Sequence, residues 1–554
     1  MLEARQAAPL SYSPDGEELL VASTIPGTRQ LFVLPGMRQV TAYDEGVGGR
    51  FLPDGRILVE RDSGGNERTQ LYAGAEPLVV DERYKHDTPH AAGRTLAFAT
   101  NRRNGVDFDI VARDLETGVE WTFELGGYCF VAAISADGRQ VVAAKLGGVS
   151  GDNDLYLCDV DRGEITHLTP HDEPAEFVTP VWRGGELVWA TNAGRETFAV
   201  EGFESRWDVT CAADAEGRHL LLHVNEDGYS RLVLDGVDVP LPGRGVVDSP
   251  VFSPDGSQLA FAFSTPVEPY DVYVYEDGVT RRMTTSPREV QPRELVEPEL
   301  HRFASFDGEP VPVFLFTPEG SGPFPVVVTV HGGPEAQWLP HWQPSFAPLT
   351  QYLVSRGYAV AAPNVRGSSG YGKRFEHLDD VRSRLDSVRD LASLHDWLAA
   401  RPEIDASRAV LYGRSYGGYM VLAGLAFQPE RWAAGIECVG ISNFVTFLEN
   451  TSAYRRAARE REYGSLERDR DFLIEASPIT HVATIRAPLF IQHGANDPRV
   501  PLSESEEIAR VLRERGIRCD LVVYEDEGHT IEKLSNRIDA FTRMTGFLDE
   551  MLIG

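Results

Sequence analysis

The sequence predicts two domains in tandem, an N-terminal seven-bladed β-propeller over residues 1–290 and a C-terminal α/β-hydrolase domain over residues 291–554. Three observations carry this expectation. The chain has 554 residues, more than one core holds, since single cores stop growing near ~250–300 residues. A hairpin-turn signature returns about every 40 residues through the first half, the spacing of propeller blades. Past residue 290 the pattern changes to apolar strands alternating with helical stretches.

The turn signature is clearest in Ser13-Pro14-Asp15-Gly16, Leu52-Pro53-Asp54-Gly55, Ser135-Ala136-Asp137-Gly138 and Ser253-Pro254-Asp255-Gly256. Each precedes an apolar run, such as residues 19–22 or 259–262, and weaker copies centre on Gly93, Gly185 and Gly217. Proline presets φ and glycine accepts positive φ, so each copy reads as a hairpin turn. A second strand-like run often follows, as at 154–157 and 271–275. Several short strands per unit make a blade, and seven turns make seven blades. A plain β-sandwich leaves the sevenfold return unexplained.

In the second half, residues 311–316, 326–330, 359–362, 409–412, 489–491 and 521–524 read as strands, with helical stretches at 381–399 and 504–515 between them. Such alternation predicts a mostly parallel sheet covered on both faces. The join falls in the Pro-, Glu- and Arg-rich segment 287–298.

Composition excludes some classes of function. The 53 basic and 84 acidic residues leave a net charge of −31, a field that repels nucleic acid and anionic membranes; solubility is its plainer reading. Cys129, Cys158, Cys211, Cys438 and Cys519 are odd in number and form no CxxC pair, so neither disulfides nor zinc are expected and a reducing compartment fits. The first residues lack the blocks of a signal peptide, and no apolar run approaches 18 residues. The expected location is cytoplasmic. Asp152-Asn153-Asp154 with Asp159 and Asp161 resembles calcium-ligand spacing, but the glycine and closing glutamate of an EF-hand are missing. No HExxH occurs, and neither metal nor cofactor is expected.

Chemistry enters with Gly413-Arg414-Ser415-Tyr416-Gly417-Gly418, which lies between a predicted strand and a predicted helix. Strand, G-x-S-x-G turn and helix together form a nucleophile elbow, whose strained serine needs small neighbours. Such a fold requires an acid and then a histidine after later strands. Asp497 follows the strand at 489–491 and His529 the strand at 521–524. His529 is the expected general base for Ser415, and Asp497 the group that fixes its tautomer. His331-Gly332-Gly333-Pro334 follows the strand at 326–330, where glycines let a backbone N–H approach a substrate oxygen.

With Asn364-Val365-Arg366-Gly367-Ser368-Ser369-Gly370-Tyr371-Gly372 between these motifs, the chain resembles the prolyl oligopeptidase family of serine peptidases over essentially its whole length. The HGGP form and Asn496-Asp497-Pro498-Arg499-Val500-Pro501 are most similar to its acylaminoacyl peptidase branch. The resemblance implies the triad Ser415, Asp497 and His529, and an oxyanion hole from the backbone N–H groups of Gly333 and Tyr416. It implies that Arg499 holds a substrate carbonyl, although a loop arginine is also compatible with plain solvation. It further implies that Ile441, Phe444 and Phe447 wall the pocket for the residue preceding the scissile bond; their types suit a core equally well. One departure stands out: other branches place a tyrosine hydroxyl in the oxyanion hole where this chain has His331. The paired acids Glu17-Glu18 and Glu506-Glu507 fall in a hairpin turn and a helix, which argues against the amine anchor of the dipeptidyl branch.

The expected function is hydrolysis of short peptides by Ser-His-Asp acyl transfer, with release of a blocked N-terminal residue. The alternatives are dipeptidyl or carboxypeptidase action, an esterase on the same fold, and a propeller binding module with an inactive hydrolase domain. The expected partners are peptides alone, with self-association possible.

Overall fold

The computed structural model describes residues 4–342 and 347–552. Residues 7–282 form seven antiparallel sheets around a central axis, six of four strands and one, over 177–200, of three. These are seven propeller blades, each built from consecutive strands.

The recurring turn has one job. In the first blade it joins Ala7–Tyr12 to Leu19–Ser23, in the fourth Cys129–Ile134 to Gln140–Leu146, and in the seventh Val246–Phe252 to Leu259–Thr265. It is therefore the connection between the first two strands of a blade. The Ser13, Ser135 and Ser253 hydroxyls each donate to the aspartate two residues on, at 2.6 Å in all three. Each of the three oxygens also accepts a backbone N–H from across its turn, at 2.9 Å. The first strand of a blade commonly carries a register shift, as between Pro9 and Ser11 or Val131 and Ala133; a bulge there bends the strand and strengthens its twist. The ring closes by packing the first blade on the seventh, where Ala7, Val21 and Phe32 share a core with Ala260, Val272 and Val274.

After a short linker the chain enters one eight-stranded sheet: β1 (Glu299–Ala304), β2 (Pro310–Phe316), β3 (Phe324–Val330), β4 (Ala359–Pro363), β5 (Ile404–Arg414), β6 (Ala434–Cys438), β7 (Leu489–Gly494) and β8 (Cys519–Tyr524). Their spatial order is β1-β2-β4-β3-β5-β6-β7-β8, antiparallel for the first two pairings and parallel from there on. Strand residues alternate between two cores. Val326, Val328 and Val330 of β3 pack with the helices Arg384–Ala399 and α1 (Tyr416–Phe427), whereas Val327 packs with Ala347–Ser355 and Leu534–Leu552 on the opposite face. Burial on both faces explains why these strands read as continuous apolar runs.

Among the described residues, no helix is long and apolar enough to cross a membrane. All five cysteines are buried free thiols. Asp152 and Asp154 are engaged by histidines, with His171 Nε2 at 2.8 Å and His167 Nε2 at 2.6 Å.

Candidate active site

Ser415 stands between β5 and α1 at φ 60° and ψ −120°. A non-glycine residue pays on the order of 1–3 kcal/mol for such a conformation, and it persists only where its surroundings over-determine it. Here the Ser415 N–H donates to the Cys438 carbonyl at the end of β6 (2.9 Å), and its carbonyl accepts the Tyr419 N–H (3.0 Å). The flanking glycines are required by close backbone approach. A Cβ on Gly413 would lie 2.2 Å from the Gly417 carbonyl oxygen, and one on Gly417 2.1 Å from that of Val330. Tyr416 opens α1, so its N–H has no intrahelical acceptor. Its fully buried ring is anchored through the hydroxyl to Asp379 Oδ2 (3.0 Å) and Ser387 Oγ (2.7 Å).

Asp497 and His529 lie in the loops that follow β7 and β8. His529 Nδ1 donates to Asp497 Oδ2 at 2.6 Å, while Asp497 Oδ1 accepts the N–H groups of Arg499 (2.8 Å) and Val500 (3.1 Å). Every contact asks the carboxyl to accept, so the imidazole proton sits on Nδ1 and Nε2 is left with a free lone pair. Burial alone would raise the Asp497 pKa, but the His529 imidazole and the hydrogen bonds outweigh it and hold the group below its ordinary value. Burial lowers the pKa of His529; Asp497 opposes this, Arg499 and Arg414 add to it, and the net position is below the ordinary imidazole value. Ser415 and His529 border one cavity of about 240 Å³. Among the described residues no hydrogen bond yet joins the Ser415 hydroxyl to the imidazole, and bonds of this kind commonly tighten when substrate enters.

The third wall is the turn after β3. A Cβ on Gly332 would sit 3.3 Å from the Ser415 Cβ, so this turn lies directly against the serine. The Gly333 carbonyl faces away, accepting from Arg459 Nη1 (3.2 Å) and the Tyr463 hydroxyl (3.5 Å). His331 is buried, with a pKa lowered by that burial, and is pinned at both nitrogens: Nδ1 donates to the Gly332 carbonyl (2.8 Å) and Nε2 meets Ser368 Oγ (2.9 Å). It holds the turn in shape. The motif at 364–372 does the same from behind. Asn364 brackets the backbone of Trp338 (2.6 and 3.2 Å), and the Ser369 N–H donates to the Ala336 carbonyl (3.1 Å).

Five of the expected residues, Ser415, Asp497, His529, Gly333 and Arg499, thus meet in one place, with the Tyr416 N–H at its edge. Ile441, Phe444 and Phe447 do not border the cavity beside Ser415. They are buried core residues, and Phe444 packs behind the site on Tyr419 and Tyr463, 4.6 and 4.9 Å away between ring centroids. The cavity is walled instead by Phe316, Trp338 and Leu339, with Pro266 of the seventh blade above them. A further group had no local signal in the sequence. Glu67, from a propeller turn more than 400 positions away, accepts Arg499 Nε at 2.5 Å. Beside it the propeller backbone meets the catalytic loops, where Asn496 Nδ2 donates to the Gly64 carbonyl at 3.0 Å.

The carboxylates of Asp379, Asp380 and Glu462 bring oxygen atoms within 4.8 Å of one another, the one such grouping among the described residues. The buried Arg384 guanidinium already pairs with Asp379 and Glu462, so a protein cation occupies the position a metal would take.

Comparison with known proteins agrees with this architecture. Residues 344–554 match the model of the prolyl oligopeptidase family. The dipeptidyl aminopeptidase BIII of Pseudoxanthomonas mexicana is 27% identical, over 99% of this chain and 87% of its own length. The acylamino-acid-releasing enzyme 1 of Oryza sativa subsp. japonica is also 27% identical, over 39% of this chain and 29% of its own. A solved prolyl endopeptidase structure superposes with a TM-score of 0.86 at 17% identity, covering 100% of this chain and 90% of that one, which speaks to the fold. Segment 344–554 thus matches the prolyl oligopeptidase family, and the chain is a serine-type peptidase built from a seven-bladed propeller and an α/β-hydrolase domain.

Proposed function

We propose that this peptidase removes a blocked N-terminal residue from short peptides. Ser415 attacks the carbonyl as His529 Nε2 takes its proton, and the N–H groups of Gly333 and Tyr416 stabilise the oxyanion. His529 then returns the proton to the leaving amine, and water repeats the cycle on the acyl-enzyme. The propeller contacts at Glu67, Gly64 and Pro266 support access for short chains over folded proteins.

One observation carries the preference for a blocked terminus. Glu67, the propeller carboxylate at the site, is already neutralised by Arg499, so a free ammonium would have to displace an arginine. An uncharged acyl group meets no such competition.

The second reading, release of a free dipeptide, is favoured by a vestibule of about 270 Å³ beyond Arg499 that contains Glu60, Asp62, Glu67, Glu527 and Glu532. The relative that aligns with 99% of the chain is a dipeptidyl aminopeptidase. Comparing kcat/KM on acetyl-alanyl anilide, alanyl-alanyl anilide and an aryl acetate decides among the readings. Blocked substrate ahead by tenfold or more is the expected result. The reverse order selects the dipeptidyl reading, and fast cleavage of the ester alone selects an esterase.

A further inference from the structure

The helix α2 (Ala453–Tyr463) bridges two walls of the site. At its start the Ser452 N–H and hydroxyl donate to the Pro498 carbonyl (3.2 and 2.8 Å), and the Thr451 hydroxyl to that of Arg499 (2.7 Å). At its end Arg459 and Tyr463 reach the Gly333 carbonyl. Residues 455, 459 and 463 are spaced by four and share the face that spans this gap. Two of the three are arginines.

Like charges four apart on a helix repel, and here a third arginine stands alongside. The Arg455 guanidinium faces the positive charges of Arg499 and Arg459, which add to burial in lowering its pKa. The carboxylate that faces it, Glu67, is ion-paired with Arg499. Among the described residues the Arg455 side chain makes no hydrogen bond or ion pair, and its Nε is buried without a partner; the Arg459 Nε is also unpartnered, although its Nη1 lies 3.9 Å from Glu335 Oε2. A guanidinium offers five donors in a planar fork suited to a carboxylate. Leaving that fork unused beside two more arginines is costly unless an anion completes the group.

We propose that Arg455 and Arg459 form a subsite for a carboxylate on the acyl side of the substrate, so that the blocked residue released is aspartate or glutamate. The placement follows from the span of α2 between Arg499, assigned to a substrate carbonyl, and Gly333, assigned to the oxyanion. This names the substrate class within the proposed function and rests on that reading. A blocked, acidic acyl group also suits a site whose nearest acid is already paired.

The test compares acetyl-glutamyl with acetyl-glutaminyl anilide. For the native enzyme, kcat/KM favours glutamate by tenfold or more. In Arg455→Gln the glutamate-to-glutamine ratio falls to near one, and Arg455→Lys restores part of it. Arg470→Gln, in a surface pair with Glu449, keeps the native ratio. Because a ratio is read, a general loss of activity does not mimic the result. A ratio near one in the native enzyme, or an undiminished ratio in Arg455→Gln, overturns the proposal. If no blocked peptide is cut, the proposed function falls by itself. The subsite is then decided by calorimetry on Ser415→Ala, where acetyl-glutamate must bind at least tenfold tighter than acetyl-glutamine.

Discussion

In the propeller the strand ladder of each blade stays within that blade, its strands follow one another in sequence, and only single bonds such as that from the Phe51 N–H to Ser11 Oγ (2.8 Å) cross to a neighbour. In the hydrolase domain one sheet takes strands in the order β1-β2-β4-β3-β5-β6-β7-β8, and the loops at the ends of β3, β5, β7 and β8 supply the turn, serine, acid and histidine. The first arrangement is local and repeated. Damage to one turn is expected to fall chiefly on its own blade. The second is non-local and unique, so a few atoms at the elbow decide both geometry and activity. The difference teaches where each kind of substitution should hurt.

The largest effects therefore belong to the hydrolase domain. Ser415→Ala should lower kcat by roughly 10⁴–10⁶-fold while leaving the melting temperature unchanged or slightly raised, since the nucleophile is removed. A comparable residual rate in Ser415→Ala would break the assignment of the elbow. Gly417→Ala should cost both activity and stability. Its Cβ would meet the Val330 carbonyl oxygen at 2.1 Å, and backbone cannot yield as a side chain does, so a loss of at least ~3 kcal/mol is expected in denaturant titrations. An intact, active Gly417→Ala enzyme would mean that the elbow is looser than these contacts require.

A middle class of effect crosses between the domains. Glu67→Gln removes the charge that pairs with Arg499 without touching the triad. On blocked peptides it should raise KM by about 3–10-fold with kcat nearly unchanged, the signature of weakened uniform binding. A loss confined to free dipeptide substrates would instead identify Glu67 as the anchor for an ammonium. Substrate kinetics on this one variant sharpen the comparison, since they measure how far a propeller side chain takes part in the hydrolase site.

How much of this was legible follows the same division. The weaker turns at Gly93, Gly185 and Gly217 were found by their spacing; the four clearest could be read because each is written in four adjacent residues, and Ser253-Pro254-Asp255-Gly256 states its own geometry. The elbow could be read for the same reason. Asp497 and His529 were legible through their places after strands. Glu67 was not, because nothing near it in sequence foreshadows a contact with Arg499. The aromatic positions fail differently. Phe444 and Phe316 are both apolar and both fully buried, and only packing shows that Phe316 borders the cavity while Phe444 backs it through Tyr463.

The pH dependence of the reaction adds a smaller effect with a definite sign. The proposed mechanism needs neutral His529, and its pKa lies below the ordinary 6.5 because burial, Arg499 and Arg414 outweigh Asp497. Activity is therefore present above that pKa and lost as pH falls through it, so the acid limb of kcat/KM has its midpoint below 6.5. A midpoint at or above 6.5 would mean that Asp497 dominates. That limb belongs to the site and should be unmoved by a substitution in a distant propeller turn.

The smallest expected effect tests the propeller half of the comparison. The Ser253 hydroxyl donates to Asp255 Oδ1 (2.6 Å) and its oxygen accepts the Gln258 N–H (2.9 Å). Ser253→Ala should cost about 1 kcal/mol, the worth of a side-chain hydrogen bond that closes a turn. Ser135→Ala in the fourth blade faces the same pair of contacts, to Asp137 at 2.6 Å and from the Gln140 N–H at 2.9 Å, so its cost should match. These two blades are not adjacent, and independent sites add to within about 0.5 kcal/mol. The double variant should then lose the sum, with kcat/KM on short peptides unchanged. A marked excess over the sum would show that the propeller responds as a cooperative ring, and that its blades are local in sequence but not in stability.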